Sequence, residues 1–231
     1  MKAIALIPGR GGSKRLPRKN LLPFRGRPMI ASTVMAALES ELFERIVVTT
    51  DDKAIADAGE AAGAEVLMRP VALGADNVPL ISVAQHALAE MGAKLDAFCL
   101  MMPNCPLRTA EDIRSSHKMF AARGDGAAVM SVFKYGWSPP AWALRETGTY
   151  LHRLDPKGEL FGSESGMFCP SGAIRWHHRA TFAADPNWYP SRLIGFPMTW
   201  HRALDIDDLD GYEAALCVAH AQDHGFKFGV R

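Results

Sequence analysis

Short apolar runs alternate with segments of helical periodicity along the chain as far as residue 133. Apolar and β-branched runs predict strands at 3–7, 45–50, 65–68, 96–102 and 127–133. Between these runs, apolar residues recur every three or four positions, which predicts helices that begin near Pro28, Asp52, Pro79 and Thr109. Because strands alternate with helices, the pattern predicts an α/β protein with a mostly parallel, doubly wound sheet.

The alternation breaks up between residues 134 and 185, where prolines and tryptophans are frequent and the periodicity is weak. We expect an irregular, hairpin-like excursion within 134–185 that covers one side of a site or meets a second subunit. Trp137, Trp142, Trp176 and Trp188 are candidate interface anchors, although packing against the core under irregular loops is an equally good interpretation. A strand at 193–198 and a helix at 209–221 follow, and we expect a single domain over residues 1–231.

The segment 7–20, IPGRGGSKRLPRKN, places three glycines and five cations directly after the first predicted strand. Glycines let backbone N–H groups approach a polyanion, and arginine and lysine supply donors for its oxygens. The segment therefore predicts a phosphate site, with a solvated basic turn as the alternative. A Walker A loop is excluded and a dinucleotide loop is disfavoured, because Lys14 stands where both would require glycine.

Asp205 and Asp207 form a second candidate site near the end of the chain. On an extended strand, residues two apart project to the same face, so both carboxylates can face one hard cation such as Mg²⁺. Aspartates before a helix can instead cap it, which we expect for Asp208 and Asp210. Asp51, at the carboxyl end of a predicted parallel strand, is expected at the same sheet edge as the first loop.

Composition excludes several classes of protein. A net charge of +1 provides no broad basic field, which argues against a nucleic-acid partner. No run of about 18 apolar residues predicts a membrane span, and the first apolar run is too short for a signal peptide, so we expect a cytoplasmic protein. The four cysteines show neither a CxxC pair nor zinc-like spacing with histidine, so we expect reduced thiols and no structural metal.

The loop 7–20 resembles the first motif of the acylneuraminate cytidylyltransferase family, I-P-A-R-x-G-S-K-x-x-x-x-K-N, with Gly9 replacing the usual alanine. Further similarities follow in the family's order: 49–52 resembles S-T-D-D, 69–76 resembles R-P-x-x-L-x-x-D, 101–108 resembles L-Q-P-T-S-P-L-R, and 205–210 resembles D-I-D-x-x-x-D. The resemblance implies a nucleotide-diphospho-sugar transferase-like fold and a homodimer. It also implies transfer of CMP from CTP to a nine-carbon 2-keto-3-deoxy acidic sugar of sialic, legionaminic or pseudaminic type, with release of pyrophosphate.

The resemblance also assigns roles to individual positions. It implies that Asp205 and Asp207 hold Mg²⁺ and that Ser171 and Gly172, within Ser-Gly-Ala-Ile in place of the family's N-G-A-I, contact the sugar. The implied catalytic residues are Arg10, Lys19 and Asp207; no general base is assigned. The implied nucleotide-binding residues are Arg10, Gly11, Ser13, Lys14, Lys19, Asn20 and Arg69. Arg69, before a proline, has the alternative role of finishing a strand.

Several positions depart from the family pattern. Met102 stands in place of glutamine, so backbone groups would have to replace an amide that contacts the pyrimidine. No arginine lies between Lys157 and Ser171 to match one implicated in catalysis, and the sugar half of the pattern differs more than the nucleotide half.

Two alternatives follow. One is a 3-deoxy-octulosonate cytidylyltransferase, whose first loop, A-R-x-x-S-x-R-L-P-G-K-P, shares Ser13, Arg15, Leu16, Pro17 and Lys19 with this chain. The other is a nucleotide-binding homologue that has lost catalysis, which the missing glutamine and arginine favour.

Overall fold

The computed structural model describes residues 1–92, 95–123, 126–136, 139–160 and 166–228. In chain order its helices and strands are β1 (Ala3–Gly9), β2 (Pro23–Phe24), β3 (Arg27–Pro28), α1 (Met29–Ser40), β4 (Arg45–Thr50), α2 (Lys53–Ala61), β5 (Glu65–Met68), α3 (Leu80–Glu90), β6 (Ala97–Leu100), α4 (Ala110–Ala121), β7 (Ala128–Lys134), β8 (Leu144–Thr147), β9 (Tyr150–Arg153), β10 (Phe168–His178), α5 (Arg179–Ala184), β11 (Leu193–Pro197) and α6 (Leu209–Asp223).

Seven strands form one sheet in the order β11-β7-β10-β6-β1-β4-β5. The pairs β1–β4, β1–β6, β4–β5 and β7–β11 are parallel, and β10 runs antiparallel to both β6 and β7. One face packs against apolar residues of α1, α2 and α4, and the other against α3 and α5. The predicted α/β architecture with a mostly parallel sheet is therefore confirmed.

The local patterns explain why these elements form. β1 is buried at all seven positions, as expected for a parallel strand covered on both faces. Helix α4 begins with the capping box expected from sequence: the Thr109 hydroxyl accepts from the Asp112 N–H, and the Asp112 carboxylate accepts from the Thr109 N–H. None of the described helices is long and apolar enough to cross a bilayer.

The segment 134–185 is less irregular than its sequence suggests. Strands β8 and β9 do form an exposed hairpin. The expectation of an irregular excursion was wrong for β10, which lies in the middle of the sheet between β6 and β7. Residues 171–177 of β10 are almost all buried, so the alternation that marks a half-exposed strand is absent.

The tryptophans of this region have different environments. Trp176 is fully buried and stacks on Phe43 and Phe120, which excludes it as an interface anchor. Trp142 is exposed beside the hairpin, and Trp188 packs on α5. Trp137 lies outside the described residues.

Candidate active site

A cleft of about 470 Å³ opens where the loops after β1, β5 and β6 meet. Because β1 is parallel to β4 and β6, and β4 is parallel to β5, the loops after β1, β5 and β6 leave the same edge of the sheet. The last turn before α6 closes the cleft with Asp207. The charged and polar residues that line it are Arg10, Ser13, Lys14, Arg15, Lys19, Asn20, Arg69, Asp76, Asn104 and Asp207.

The first loop presents its cations to an internal carboxylate. Arg10 donates to Asp76 Oδ1 at 2.6 Å, and Lys14 Nζ lies 2.5 Å from Asp76 Oδ2. Hydrogen bonds from Lys14 and Arg10 lower the pKa of Asp76. Gly11 lies so close to Asp52 that a Cβ would be 2.6 Å from its Oδ2, so a side chain at this position would displace the Asp52 carboxylate. Asp52 itself caps α2 by accepting from the Ile55 N–H, which matches its helix-start interpretation.

Asn20 stabilises the backbone of this loop. Its side chain is buried, and Nδ2 donates to the Arg10 carbonyl at 3.0 Å. Ser13 is also within the loop, with its backbone N–H bonded to the Gly11 carbonyl at 3.0 Å. The contact from Asn20 fixes the backbone next to the cations, and Asn20 also lines the cleft.

Arg69 ties together the ends of three strands. It is buried, and it donates to Asp51 Oδ1 at 2.9 Å, to the Gly9 carbonyl at 3.3 Å and to the Thr49 carbonyl at 3.2 Å. Burial lowers the pKa of Arg69, although the charge of Asp51 opposes the shift. Arg69 thus does more than finish a strand: its bonds hold the phosphate loop, β4 and the cleft wall in register.

The carboxylate pair lies against the cations of the first loop. Asp207 accepts from Lys19 Nζ at 2.9 Å and from Arg15 at 2.8 Å. Partial burial would raise the pKa of Asp207, but the hydrogen bonds and charges of Lys19 and Arg15 outweigh burial and lower it. The pKa of Asp205 is raised, because the surrounding protein displaces water from the carboxylate and because Asp207 lies nearby.

Asn104 joins the two carboxylates. Its buried Nδ2 donates to Asp205 Oδ1 and to the Ile206 carbonyl at 3.1 Å, and it lies 3.4 Å from Asp207 Oδ1. Residues 204–207 are not a strand in the structure, and one amide nitrogen reaches both aspartates. Asn104 Oδ1 is buried and has no hydrogen-bond partner among the described residues.

The donor set fits Mg²⁺. Within the described residues, no group of three or more His, Cys, Asp or Glu side chains could hold a metal ion. Mg²⁺ commonly takes only one or two protein carboxylates and fills its remaining positions with phosphate oxygens and water. Asp205 and Asp207, beside the cations of the first loop, match that requirement.

The two residues assigned to the sugar occupy different environments. Ser171 is buried in an irregularity of β10, where its hydroxyl donates to the Ala203 carbonyl at 2.9 Å and accepts from the Ala173 N–H. Its hydroxyl therefore bonds to the protein rather than facing the cleft. Gly172 contacts the cleft wall directly: a Cβ there would lie 2.8 Å from Met102 Cγ and 3.2 Å from Asp205 Oδ2.

Arg108 is a supporting residue to which sequence reasoning gave no role, although the Pro-Leu-Arg motif contains it. The guanidinium is buried and donates to the carbonyls of Ala173, Met102 and Cys105 and to the Thr33 hydroxyl. Burial lowers its pKa, and no carboxylate of the described residues forms a salt bridge with it. Arg108 thus fixes the turn after β6 against β10.

Comparison with known proteins identifies related sequences. A family model described as cytidylyltransferase matches residues 4–97. The N-acylneuraminate cytidylyltransferase of Escherichia coli O18:K1:H7 is 30% identical over 220 residues, which cover 94% of this chain and 52% of that protein. The CMP-N,N′-diacetyllegionaminic acid synthase of Legionella pneumophila is 38% identical over 168 residues, covering 71% of this chain and 68% of that protein. The chain spans about half the length of several curated relatives, including the E. coli protein.

Solved structures show the same fold. A CMP:2-keto-3-deoxy-manno-octonic acid synthetase complexed with CTP aligns with a TM-score of 0.72 at 17% identity, covering 96% of this chain and all of that one. Rv0371c of Mycobacterium tuberculosis in complex with manganese aligns with a TM-score of 0.58 at 15% identity, covering 94% of this chain and 98% of that one. At these identities the structures establish architecture alone. The identity and coverage of the Legionella protein, together with the family match over residues 4–97, show that this chain belongs to the cytidylyltransferase family.

Proposed function

We propose that this chain transfers CMP from CTP to a nine-carbon 2-keto-3-deoxy acidic sugar of sialic, legionaminic or pseudaminic type. The observation that carries the proposal is the contact between the phosphate loop and the carboxylate pair, in which Lys19 Nζ lies 2.9 Å from Asp207 Oδ1. One cleft thus presents cations for a triphosphate and the Asp207 carboxylate for a metal, with Asp205 linked to Asp207 through Asn104. Relatives named for N-acylneuraminate, diacetyllegionaminic acid and pseudaminic acid support the class of acceptor.

In the proposed reaction, the anomeric 2-hydroxyl oxygen of the sugar bonds to the α-phosphorus of CTP. The bond from that phosphorus to the bridging oxygen breaks, pyrophosphate leaves with the bonding electrons, and the hydroxyl proton is released. Arg10 and Lys14 would exchange Asp76 for phosphate oxygens, and Lys19 would stabilise charge on the leaving group. Such transfers depend mainly on positioning and charge stabilisation, which these residues can provide without covalent chemistry.

Asp205 and Asp207 would hold a divalent cation, which we propose to be Mg²⁺. When bound, the ion would polarise the α-phosphate as a Lewis acid. The amide of Asn104 would keep the two carboxylates oriented toward the same point. Arg15 and Lys19 would neutralise Asp207 when no cation is bound.

We also propose a homodimer that uses the β8–β9 hairpin, in a cytoplasmic enzyme of polysaccharide biosynthesis. The hairpin region exposes large apolar side chains, with Trp142 62%, Tyr150 72% and Leu151 65% exposed. Exposed aromatic clusters of this kind are typical of interfaces. Four free cysteines fit a reducing compartment. Analytical ultracentrifugation of Leu151→Asp should give a monomer where the unsubstituted chain gives a dimer, and an unchanged mass would exclude the hairpin as the contact.

The decisive test of the reaction is pyrophosphate release by the purified protein with Mg²⁺ and CTP, UTP or ATP, against a panel of eight- and nine-carbon 2-keto acids. Release with CTP and one nine-carbon acid is the expected result. Release confined to the eight-carbon acid would identify an octulosonate cytidylyltransferase, and none from a folded protein that binds CTP would favour the catalytically silent homologue.

A matched pair of variants tests the carboxylate site. Asp207→Asn is expected to lower turnover by roughly 100-fold or more, because charge stabilisation in the transition state is lost. Asp210→Asn makes the same chemical change in the first turn of α6 and should retain near-normal turnover. Near-normal activity of Asp207→Asn in an intact fold would refute the metal assignment.

A further inference from the structure

Arg175 of β10 forms no salt bridge with a carboxylate of the described residues. The residue is partly buried, and its Nε has no hydrogen-bond partner among the described residues. The Arg175 guanidinium contacts the rings of Trp188 and Tyr189. No hydrogen bond or salt bridge joins this guanidinium to the described residues. A partly desolvated cation that no carboxylate of the described residues contacts directly is unfavourable, so this position suits an anionic ligand that pairs with it.

Two aromatic rings hold the Arg175 guanidinium in place. Its Cζ lies 5.7 Å from the ring centroid of Trp188 and 6.0 Å from that of Tyr189. Trp188 is supported in turn by Phe182 at 5.3 Å and by His177 at 5.3 Å. Contacts with ring faces attract the cation without using its N–H groups. The guanidinium is therefore oriented while its donors remain available.

Strand alternation places Arg175 on the face of the sheet that packs against α3 and α5. Trp176 points to the opposite face, where it packs on α4. Leu100 lies directly opposite Arg175 in β6 and belongs to the apolar layer that contains Leu80 and Met102, both of which line the cleft. The charge of Arg175 also acts on Asp205.

The order of the strands indicates which substrate approaches Arg175. The phosphate loop follows β1, and β10 lies on the far side of β6 from β1. In a nucleotidyl transfer, the attacking oxygen and the leaving pyrophosphate are roughly in line on opposite sides of phosphorus. If pyrophosphate leaves toward Arg10 and Lys14, the acceptor occupies the β10 side.

We propose that Arg175, held between Trp188 and Tyr189, binds the carboxylate of the acceptor sugar. This inference rests on the proposed function, because it assumes that the acceptor is a 2-keto acid. The carboxylate of such an acid is attached to the carbon that bears the attacking 2-hydroxyl, so a bidentate contact with arginine would also orient that hydroxyl. Arg175 then discriminates acids from neutral sugars of the same shape.

The test compares Arg175→Gln and Arg175→Lys with the unsubstituted chain. Loss of a charge-assisted contact is expected to raise KM for the acid by about 10- to 100-fold in Arg175→Gln, with partial recovery in Arg175→Lys. The Kd for CTP, measured by calorimetry without sugar, should change less than about twofold, because Arg175 is proposed to contact the acceptor and not the nucleotide. Arg45→Gln is the control, because Arg45 pairs with Glu65 at the amino end of β4, away from the cleft.

A second measurement uses the methyl ester of the acid. The unsubstituted chain should prefer the acid over its ester by about tenfold or more, and Arg175→Gln should lose that preference. An unchanged KM in Arg175→Gln, or an equal preference for the ester in both proteins, would overturn the inference. If Arg175→Gln does not fold, Arg175→Lys and the ester preference of the unsubstituted chain still decide.

The inference and the proposed function can fail separately. Calorimetric titration of the acid into protein saturated with a non-hydrolysable CTP analogue measures acceptor binding without turnover. Binding that weakens in Arg175→Gln, in a protein that releases no pyrophosphate, would retain Arg175 as the carboxylate site and reject the transfer activity. Turnover that is indifferent to Arg175→Gln would retain the activity and reject the site, and absence of both binding and turnover would reject both.

Discussion

Replacing Asn104 with alanine is expected to weaken metal-dependent turnover without removing a metal ligand. Asn104 Nδ2 is the group that contacts both carboxylates of the proposed metal site, Asp205 by a hydrogen bond and Asp207 at 3.4 Å. The bond between the Asn104 carbonyl and the Ile206 N–H, at 2.8 Å, involves only the backbone and persists in the variant. The turn should therefore keep its path while the aspartate side chains lose their common donor.

The structure sets the size of this effect. A hydrogen bond to a charged group contributes about 1.5–3 kcal/mol, and about 1.4 kcal/mol corresponds to a factor of ten. Loss of the bond to Asp205 alone predicts roughly 10- to 100-fold weaker metal affinity, the range usual for residues that orient metal ligands. Removal of Oδ1 costs no hydrogen bond within the described residues, because that atom has no partner there.

The assay is the rate of pyrophosphate release as a function of Mg²⁺ concentration, at saturating CTP and acid. Asn104→Ala should need about 10- to 100-fold more Mg²⁺ for half-maximal rate, and most of the rate should return at saturating Mg²⁺. Gln85→Ala removes an exposed amide from α3 and is the control. An unchanged Mg²⁺ dependence would refute the orienting role, and a loss that no Mg²⁺ concentration restores would indicate direct contact with a substrate instead.

Three further predictions concern the cation pairs, the buried histidine and the helix cap. Asp76→Asn should tighten CTP binding about two- to fivefold at low salt, because Asp76 no longer competes for Arg10 and Lys14. Burial lowers the pKa of His177 from 6.5 to about 4, so the unfolded chain binds a proton that the folded chain excludes between these values. The free energy of unfolding is therefore highest above about pH 6.5 and falls by up to about 3 kcal/mol toward pH 4. In urea titrations, His177→Phe should show no such decrease. Thr109→Ala should lower the free energy of unfolding by about 1 kcal/mol through loss of the α4 cap.

Each of these predictions has an outcome that contradicts it. Weaker CTP binding in Asp76→Asn would mean that Asp76 orients the cations for the nucleotide rather than competing with it. If the stability of His177→Phe has the same pH dependence as that of the unsubstituted chain, His177 is not the acid-sensitive group. His152→Gln, on the exposed hairpin, is the control. For Thr109, the control is Ser115→Ala, which removes a partly exposed hydroxyl later in α4 that donates to Glu111. Equal effects of the two changes would rule out a special contribution of the cap.

Periodicity predicted the parallel half of the sheet because a helix lies between successive strands of the sheet from β1 to β7. It failed for β10 for two physical reasons. The buried stretch 171–177 has no polar face, and the register with β7 shifts between Pro170 and Arg175, so the segment has neither alternation nor a regular ladder. Its position between β6 and β7 also depends on pairings with strands far away in sequence, which no local pattern reports.

The same distinction between local patterns and distant contacts applies to the residues of the predicted site. The loop 7–20 and Asp207 were recognisable because charge and spacing are local, and the structure brings them to one cleft. The role of Asn104 depends on aspartates 101 and 103 residues away, and that of Arg108 on the carbonyl of Ala173. Ser171 shows the converse: its position in the motif is near the cleft, but its hydroxyl bonds to the Ala203 carbonyl instead.

Four cations of the first loop are shared between two carboxylates of the chain, and this arrangement constrains how substrates enter. Asp76 pairs with Arg10 and Lys14, whereas Asp207 pairs with Arg15 and Lys19. A triphosphate alone would have to displace both carboxylates and leave Asp207 without a positive partner. A divalent cation that arrives with the triphosphate removes that cost, because it takes Asp207 while the phosphates take the four cations. Nucleotide and metal should therefore bind together, so the tightening in Asp76→Asn should appear with Mg²⁺ present and shrink in its absence.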